Sequence, residues 1–407
     1  ARIIINQCSE GGIDHGNYVT KGMAEVLAAY NCALIADMFG DAPCSQAALI
    51  DENGSPVYLT PKMDKQEEIY TQAMQYLDDA IADLQKEDLI DPEAQDLLYQ
   101  GDAEKWLKLA YGLKARYTMH LLKRSANKDA DMEKVLEYVN NSFESAEEQA
   151  AFDVYDANNI NPLYGFFVAR AGLGASESMR SKLAEYNDPR LSRAFITKQG
   201  TSGKEQAPGT ADNAVYAPNG TPEQGTSKYG TSLFMYSISA PTLLLSYHEL
   251  KFLEAEALCR LERDAKSALK DAVVAGLLNA ENSFTISRKE LGKTLINAAS
   301  SITEAEAESY FDNTIEAKYT AEPLKTTMTQ KYFALWGASG EATESYNDVR
   351  RMKGLGENFI ELKNPNSFPL RCPYGNSDTT TNAEVKAAYG NGQYVYSENV
   401  WWAGGSR

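Results

Sequence analysis

The chain has 407 residues, enough for one large or two ordinary domains, and its hydrophobic fraction of 43% permits a sizeable core. A net charge of −18 argues against nucleic acid as a partner, because binding a phosphate backbone requires clustered Lys and Arg. Five scattered cysteines without a C-x-x-C pair disfavour a zinc site; one disulfide is compatible with them, but the sequence does not select the pair.

Helical periodicity dominates three regions, and polar segments rich in Gly, Pro and Asn separate them. We predict one mainly α-helical domain over 1–407, with minor β-structure and long ordered loops. The predicted helical scaffold comprises 20–140, 242–298 and 323–354, and the loop-rich parts are 141–240 and 355–407. Long ordered loops on a helical scaffold are typically functional.

The first region contains four predicted helices. Apolar residues at spacings of three and four run from Met23 to Met38 and end at Gly40, a common helix stop. A second helix is predicted between Pro61 and Leu84, a third after an N-cap at Asp102, and a short fourth over 131–140.

The later regions continue this pattern. A helix is predicted to end near Leu261, another covers 264–278, and two more lie within 323–354, broken near 337–340. No run of 18 apolar residues occurs, so no membrane-spanning helix is predicted.

The helix before Leu261 carries a carboxylate in an unexpected place. At 100° per residue, Glu254 falls within the apolar stripe, where an unpaired charge would be costly. We predict a structural ion pair between Glu254 and Arg350 or Arg351 that locks two helices together.

No established catalytic motif is present, and the three histidines lack the spacing of a metal pair. Glu249 and Glu256 stand two turns apart on one helix, about 10 Å, which exceeds the usual carboxylate separation of glycosidases. Asn127, Asp129 and Asp131 alternate like the start of a calcium loop, but the Gly and Glu that complete such a loop are missing. We therefore predict no enzyme activity and no cofactor.

Aromatic residues concentrate in the predicted loops. Flat rings suit the C–H faces of sugars, and planar polar groups suit their hydroxyls. The alternative is that these rings only pin loops to the helices. The candidate ligand-binding residues are Asn161, Tyr164, Phe167, Tyr216, Tyr229, Tyr236, Tyr396, Trp401 and Trp402.

Several segments, in chain order, resemble motifs of the SusD/RagB outer-membrane nutrient-binding lipoproteins. The opening of the Glu254 helix resembles the family's "aE-x-x-F-x-x-AEA" pattern. The other matching segments are ALIADMFGDAP (33–43), GDAEKW (101–106) with LKAR (113–116), NDPR (187–190), TQKYFAL (329–335) with YNDVRR (346–351), and PLRCPY (369–374). The "D-x-x-G-D-x-P" form resembles the second SusD-like branch.

This resemblance implies about four tetratricopeptide-like helix pairs and a protein on the outer face of the outer membrane. It also implies a lipid anchor at an upstream cysteine, absent from this chain, and a SusC-like TonB-dependent transporter as the partner. The expected ligand is an oligosaccharide or related nutrient. Two alternatives stay open: a tetratricopeptide-type interaction scaffold that binds no glycan, and a secreted glycoside hydrolase.

Overall fold

The computed structural model describes residues 1–51, 53–170, 173–199, 204–206, 215–221, 229–292, 295–296, 298–337 and 340–407. Parts of the predicted loop over 200–231, and the centre of the predicted break near 337–340, therefore lie outside the described residues. The described chain is mainly helical with little strand, as predicted.

The helices account for most of the described residues, and their bounds follow. They are α1 (Arg2–Cys8), α2 (Tyr18–Phe39), α3 (Gln66–Asp83), α4 (Ala103–His120), α5 (Lys128–Asn140), α6 (Pro162–Arg170), α7 (Glu177–Glu185), α8 (Tyr247–Arg260), α9 (Lys266–Leu291), α10 (Glu304–Tyr310), α11 (Glu316–Ala321), α12 (Pro323–Ala334), α13 (Ala342–Leu355), α14 (Asn376–Thr381) and α15 (Ala383–Tyr389).

The strands are short. They are β1 (Ala150–Phe152), β2 (Phe195–Gln199), β3 (Lys204–Gln206), β4 (Thr231–Ser232), β5 (Thr242–Leu245) and β6 (Leu295–Ile296). β1 and β5 form an antiparallel pair, and the other four form a sheet in the order β4-β2-β3-β6, with β3 and β6 parallel.

The chain divides into two compact units. Unit 1 comprises 1–144, 347–358 and 367–407, and unit 2 comprises 145–346 and 359–366. In unit 1, α2 packs on α3 and α4 packs on α5; in unit 2, α8 packs on α9, and α12 packs on both. The single domain proposed over 1–407 stays a prediction.

Stop and cap residues in the sequence predicted two helix ends of unit 1 correctly. α2 ends at Gly40, which has a φ of +77° and donates its N–H to the Ala36 carbonyl. The Asp102 side chain accepts hydrogen bonds from the N–H groups of Glu104 and Lys105 and so caps α4 as predicted. α3 starts later than expected, at Gln66.

Small residues make α2 a core helix. Ala29, Ala33 and Ala36 are fully buried, which allows close approach of neighbouring helices. By length and composition α2 could also cross a membrane, but 56% of its apolar window is buried in the fold. Buried core helices commonly have this length and composition, so these two properties alone do not indicate a membrane span.

Candidate functional site

Asp37, from the family-like segment 33–43, organises the interior of unit 1. Its carboxylate accepts hydrogen bonds from Trp402 Nε1 at 2.9 Å and from the Tyr70 hydroxyl. His120 stacks on the Trp402 indole with ring centres 5.6 Å apart. A buried carboxylate held by such donors fixes the surrounding elements in place.

Asp41, four residues later, forms a second buried centre in unit 1. Its side chain accepts hydrogen bonds from the Tyr389 hydroxyl at 2.6 Å and from the Gln66 N–H at 2.9 Å. The Tyr374 hydroxyl donates to the Asp41 carbonyl and accepts from Arg371. The segments 33–43 and 369–374 therefore meet in the scaffold.

The NDPR turn has a similar structural role in unit 2. Asn187 adopts a φ of +49°, and Arg190 holds Asp188 with two hydrogen bonds, of 2.8 and 2.6 Å. Arg190 also donates to the Phe333 carbonyl at 2.7 Å, so the turn is tied to α12. This fully buried bidentate pair stabilises the fold and faces no ligand.

The buried carboxylates of α8 are not the one that the sequence predicted. Glu254 is half-exposed and forms its ion pair with Lys251, one turn earlier on the same helix. The fully buried carboxylates are those of Glu249 and Glu256. Lys331 lies 4.0 Å from Glu249, and Arg260 binds Glu256 at 2.7 Å.

The helical-wheel interpretation failed because α8 is buried on most of its circumference. Its less buried face carries Tyr247, Lys251, Glu254 and Leu258. The apolar stripe that we assigned to the core covers only one edge of the buried surface of the helix. The placement of Glu254 in the core is therefore wrong.

The two arginines predicted as partners of Glu254 have partners within unit 1. Arg350 donates to the Asp37 carbonyl at 2.7 Å and to the Asn347 side chain, and its guanidinium lies 4.9 Å from the centre of the Trp402 ring. Arg351 binds Asp348 at 2.7 Å. Both arginines are fully buried and bind these groups, whereas Glu254 pairs with Lys251.

Two of the predicted ligand-binding residues are held inside the fold. Trp402 is fully buried at Asp37. Asn161 caps α6: its side-chain oxygen accepts from the Leu163 N–H at 2.8 Å, and its amide donates to the Ala240 carbonyl at 2.8 Å. Neither residue presents a polar group to an incoming ligand, which corrects the prediction for both.

Several of the predicted rings also pack within unit 2. Phe167 and Tyr229 are buried, and Phe167 contacts Tyr236 edge-on at 5.1 Å. Tyr216 packs against Phe195 at 5.3 Å and lies under the guanidinium of Arg180 at 5.0 Å. Burial raises the pKa of the Tyr216 hydroxyl, as expected for a ring enclosed by protein. Phe167 and Tyr229 therefore do not offer a ring face to solvent, whereas Tyr216 and Tyr236 remain half-exposed.

The candidate rings near the chain end, in unit 1, differ in exposure. Trp401 is half-buried, with the Arg124 guanidinium 5.0 Å from its ring centre. Tyr396 is 63% exposed, so this ring is accessible to a ligand. Its part in binding stays a prediction.

In the described part of unit 2, an aromatic ring is exposed on α6. This nine-residue helix, PLYGFFVAR, carries apolar residues on all sides, yet only Phe167 is buried. Phe166 is 52% exposed, Val168 is 60% exposed, and Tyr164 is half-exposed. Tyr164 and Val168 lie on one flank of α6 and Phe166 lies on the other, because residues two apart on a helix point in opposite directions. We call the exposed part of α6 around Phe166 the α6 surface.

Polar residues lie in the loop that leads into α6. The Ile160 side chain of this loop lies against Gly165 of the helix. The Asp156 carboxylate accepts the N–H groups of Asn158 and Asn159, both at 2.7 Å, and the side-chain amide of Asn159 at 3.3 Å; both asparagines are exposed. An exposed ring and exposed planar amides match the chemistry of sugar binding.

From the aromatic run 164–167 we selected Tyr164 and Phe167 as candidates and not Phe166, because 141–240 was interpreted as loop and no helix face was assigned to it. The signal was available: Asn161 followed by Pro162 is a typical helix start, with a cap and a first-turn proline. A short helix that is apolar on all sides cannot bury every ring, so an exposed aromatic follows from that pattern.

A family model described as "Starch-binding associating with outer membrane" matches residues 4–374. The chain belongs to this SusD-like family. It is also similar over its full length to the crystal structure of a SusD/RagB family protein from Bacteroides thetaiotaomicron, with 67% identity, a TM-score of 0.94 and 85% of that chain covered. The family and the helical fold predicted from the motifs are thereby confirmed.

More distant SusD-like structures share the fold. A chitin-binding protein has 20% identity and a TM-score of 0.72, with 99% of this chain and 84% of that chain covered. A SusD homologue from Bacteroides fragilis gives the same identity and TM-score over 96% of this chain and 85% of that chain. None of the curated proteins compared with the chain is similar to it.

Proposed function

We propose that this protein captures an oligosaccharide on the cell surface and delivers it to a SusC-like TonB-dependent transporter in the outer membrane. An N-terminal lipid anchor would hold it there, and no bond of the ligand would be broken. Membership of a family described as starch-binding and associated with the outer membrane supports the class of ligand and the location.

The exposed Phe166 ring is the observation that carries the binding step. Leaving about half of a phenyl ring in water has a cost that burial against a ligand removes, and a sugar's C–H face fits such a ring. The exposed Asn158, in the loop before α6, would supply an amide for the hydroxyl groups of the sugar. We therefore place the glycan on the α6 surface.

The hydrolase alternative has less support. Glu249 and Glu256, the carboxylate pair raised by the sequence, are fully buried beside Lys331 and Arg260 respectively. Carboxylates in these positions stabilise helix packing and do not face a bound sugar. Incubation with labelled oligosaccharide should return it uncleaved; chain shortening would favour the hydrolase.

Binding can be tested by calorimetry with maltooligosaccharides and chitooligosaccharides. These probes follow from the family description and from the chitin-binding structural neighbour. We expect Phe166→Ala to weaken the binding of the recognised sugar by about tenfold, since one ring contact contributes about 1 kcal/mol. Tyr164→Ala should weaken it by a smaller factor.

Tyr58→Ala is the matched control, because Tyr58 is an exposed ring in the other unit and is not a candidate ligand-binding residue. Its affinity should equal that of the unchanged protein. A loss of binding in Tyr396→Ala but not in Phe166→Ala would move the site to the chain end. Absence of binding to any oligosaccharide, with retained folding, would favour the interaction-scaffold alternative.

A further inference from the structure

Two of the five cysteines meet on one side of unit 1. Cys32 lies on α2 and Cys44 in the loop after it, and their sulfur atoms are 3.3 Å apart. In the described part of the chain, no other pair of cysteine sulfurs lies within hydrogen-bonding distance. The structure thus selects one pair where the sequence left the choice open.

The loop that carries Cys44 is held in place by contacts independent of the sulfurs. The Asp64 carboxylate accepts the N–H of Cys44 at 2.9 Å and the N–H of Ser45 at 2.6 Å. Backbone hydrogen bonds join Ala42 and Asp64 in both directions, at 3.1 and 3.0 Å. From the other side, Arg2 donates to the Ala47 carbonyl at 2.5 Å.

α2 is equally fixed, because Ala29, Ala33 and Ala36 are fully buried. Both sulfurs therefore sit on rigid elements. A disulfide requires about 2.05 Å between sulfurs, so bond formation requires a shift of only about 1 Å.

Cys32 is partly exposed, whereas Cys44 is buried. Cys32 and Cys44 both line an open cavity of about 310 Å³, together with Arg2, Asn31 and apolar side chains. With the Cys32 thiol as the donor, the hydrogen bond between the sulfurs lowers the pKa of Cys44 and raises that of Cys32. One thiol of the pair is thereby favoured as a thiolate.

We propose that Cys32 and Cys44 are joined by a disulfide in the mature protein, outside the reducing cytosol. The outer-membrane association of the family supports an environment where such bonds persist. The bond closes a ring of the chain from Cys32 to Cys44 and fastens the loop to α2. The inference does not depend on which ligand the protein binds.

The oxidant is a disulfide-bearing molecule, either an oxidoreductase or a small disulfide. One thiolate of the pair attacks one sulfur of the oxidant, which forms a mixed disulfide and releases one thiol. The thiolate of the other cysteine then attacks the protein sulfur of the mixed disulfide and releases the second thiol. Two protons leave the protein's thiols and end on the two thiols of the reduced oxidant, so electrons and protons balance.

The test starts from the fully reduced chain, desalted and treated with oxidised glutathione. We expect the number of titratable thiols to fall by two from the five present. No Lys or Arg lies between the two cysteines, so trypsin leaves them on one peptide. A protease that cleaves on the N-terminal side of aspartate, at Asp37 and Asp41, places them on separate peptides. A linked pair of peptides containing Cys32 and Cys44 is the expected product.

Cys259→Ser is the matched control, because Cys259 is also half-buried but bonds to Thr327. This variant should still form the linked peptides, whereas Cys32→Ser should form no internal link. Oxidation should raise the Tm of the unchanged protein by about 5 °C and leave that of Cys32→Ser unchanged. Retention of all five thiols after oxidation, or a link between another pair, would overturn the proposal.

Discussion

At the scale of single residues, ionisable groups inside the scaffold make distinct contributions to stability. His248 is buried in unit 2, and its Nε2 atom lies 3.8 Å from the Glu341 carboxylate. Burial lowers the pKa of His248 to about 4 even though Glu249 acts in the opposite direction. The imidazole is therefore neutral in the folded protein at neutral pH.

This makes stability pH-dependent with a defined sign. The folded pKa lies below the unfolded value of about 6.5, so the unfolded chain binds more protons between these two values. The contribution of neutral His248 is fully present above pH of about 6.5 and is lost as the pH falls towards 4. We expect the free energy of unfolding of unit 2 to drop by about 3 kcal/mol across this window.

Denaturant unfolding of the His248→Gln variant at several pH values tests this. The variant should lack the extra loss of stability between pH of about 6.5 and 4, because an amide does not titrate there. His15→Gln, at an exposed histidine, should keep the behaviour of the unchanged protein. Identical pH profiles for His248→Gln and the unchanged protein would refute the assignment.

At the scale of elements, the helices of unit 2 pack at short range through small residues. Gly276 on α9 faces Ala334 at the end of α12, and a Cβ atom added at Gly276 would lie 2.9 Å from the Ala334 Cβ. This distance is below ordinary contact, so α9 and α12 are close because residue 276 has no side chain.

Alanine substitutions at two helical glycines should separate packing from helix propensity. Gly276→Ala should lower the free energy of unfolding, because overpacking costs about 1–3 kcal/mol while helix propensity returns at most about 1 kcal/mol. Gly165→Ala on α6 is the control: its added Cβ meets only Ile160, at 3.4 Å and beyond, so it should be neutral or stabilising. Equal stabilisation by both changes in chemical denaturation would show that the close approach is not a constraint.

At the scale of the whole molecule, the two units carry titrating groups that act in opposite directions. In unit 1, Glu25 is buried next to Lys21 at 3.2 Å, and Lys21 also binds Asp83 at 2.6 Å. Burial raises the pKa of Glu25 to about 7 although Lys21 lowers it. Between pH 4.5 and about 7, Glu25 is therefore protonated in the folded state and ionised in the unfolded chain, where its pKa has the ordinary value of 4.5.

Acidification from pH 7 to pH 5 should consequently stabilise unit 1 and destabilise unit 2. Hydrogen exchange of peptides from α2 and α8, corrected for the intrinsic effect of pH, reports on each unit separately. Glu25→Gln should abolish the change in α2 and leave that in α8. Parallel changes of the same sign in both units of the unchanged protein would contradict this account.

The sequence by itself determined the helical regions, the end of α2 at Gly40, the cap at Asp102 and the family. These features depend on neighbouring residues, through hydrophobic period, capping and turn chemistry, so they can be read locally. The motif segments identified the family, although most of their buried polar residues turned out to build the scaffold and not the ligand site.

Only the tertiary structure decided which rings are accessible and which polar groups are paired. Trp402 is buried because it bonds to Asp37, 365 positions earlier in the chain, and no local pattern encodes that contact. Phe166 is exposed because α6 has more apolar residues than neighbours to cover them. The sulfurs of Cys32 and Cys44 lie 3.3 Å apart, and the Asp64 carboxylate, 20 positions after Cys44, holds the Cys44 N–H at 2.9 Å. Burial is a property of the surroundings of a residue, and distant parts of the chain supply those surroundings.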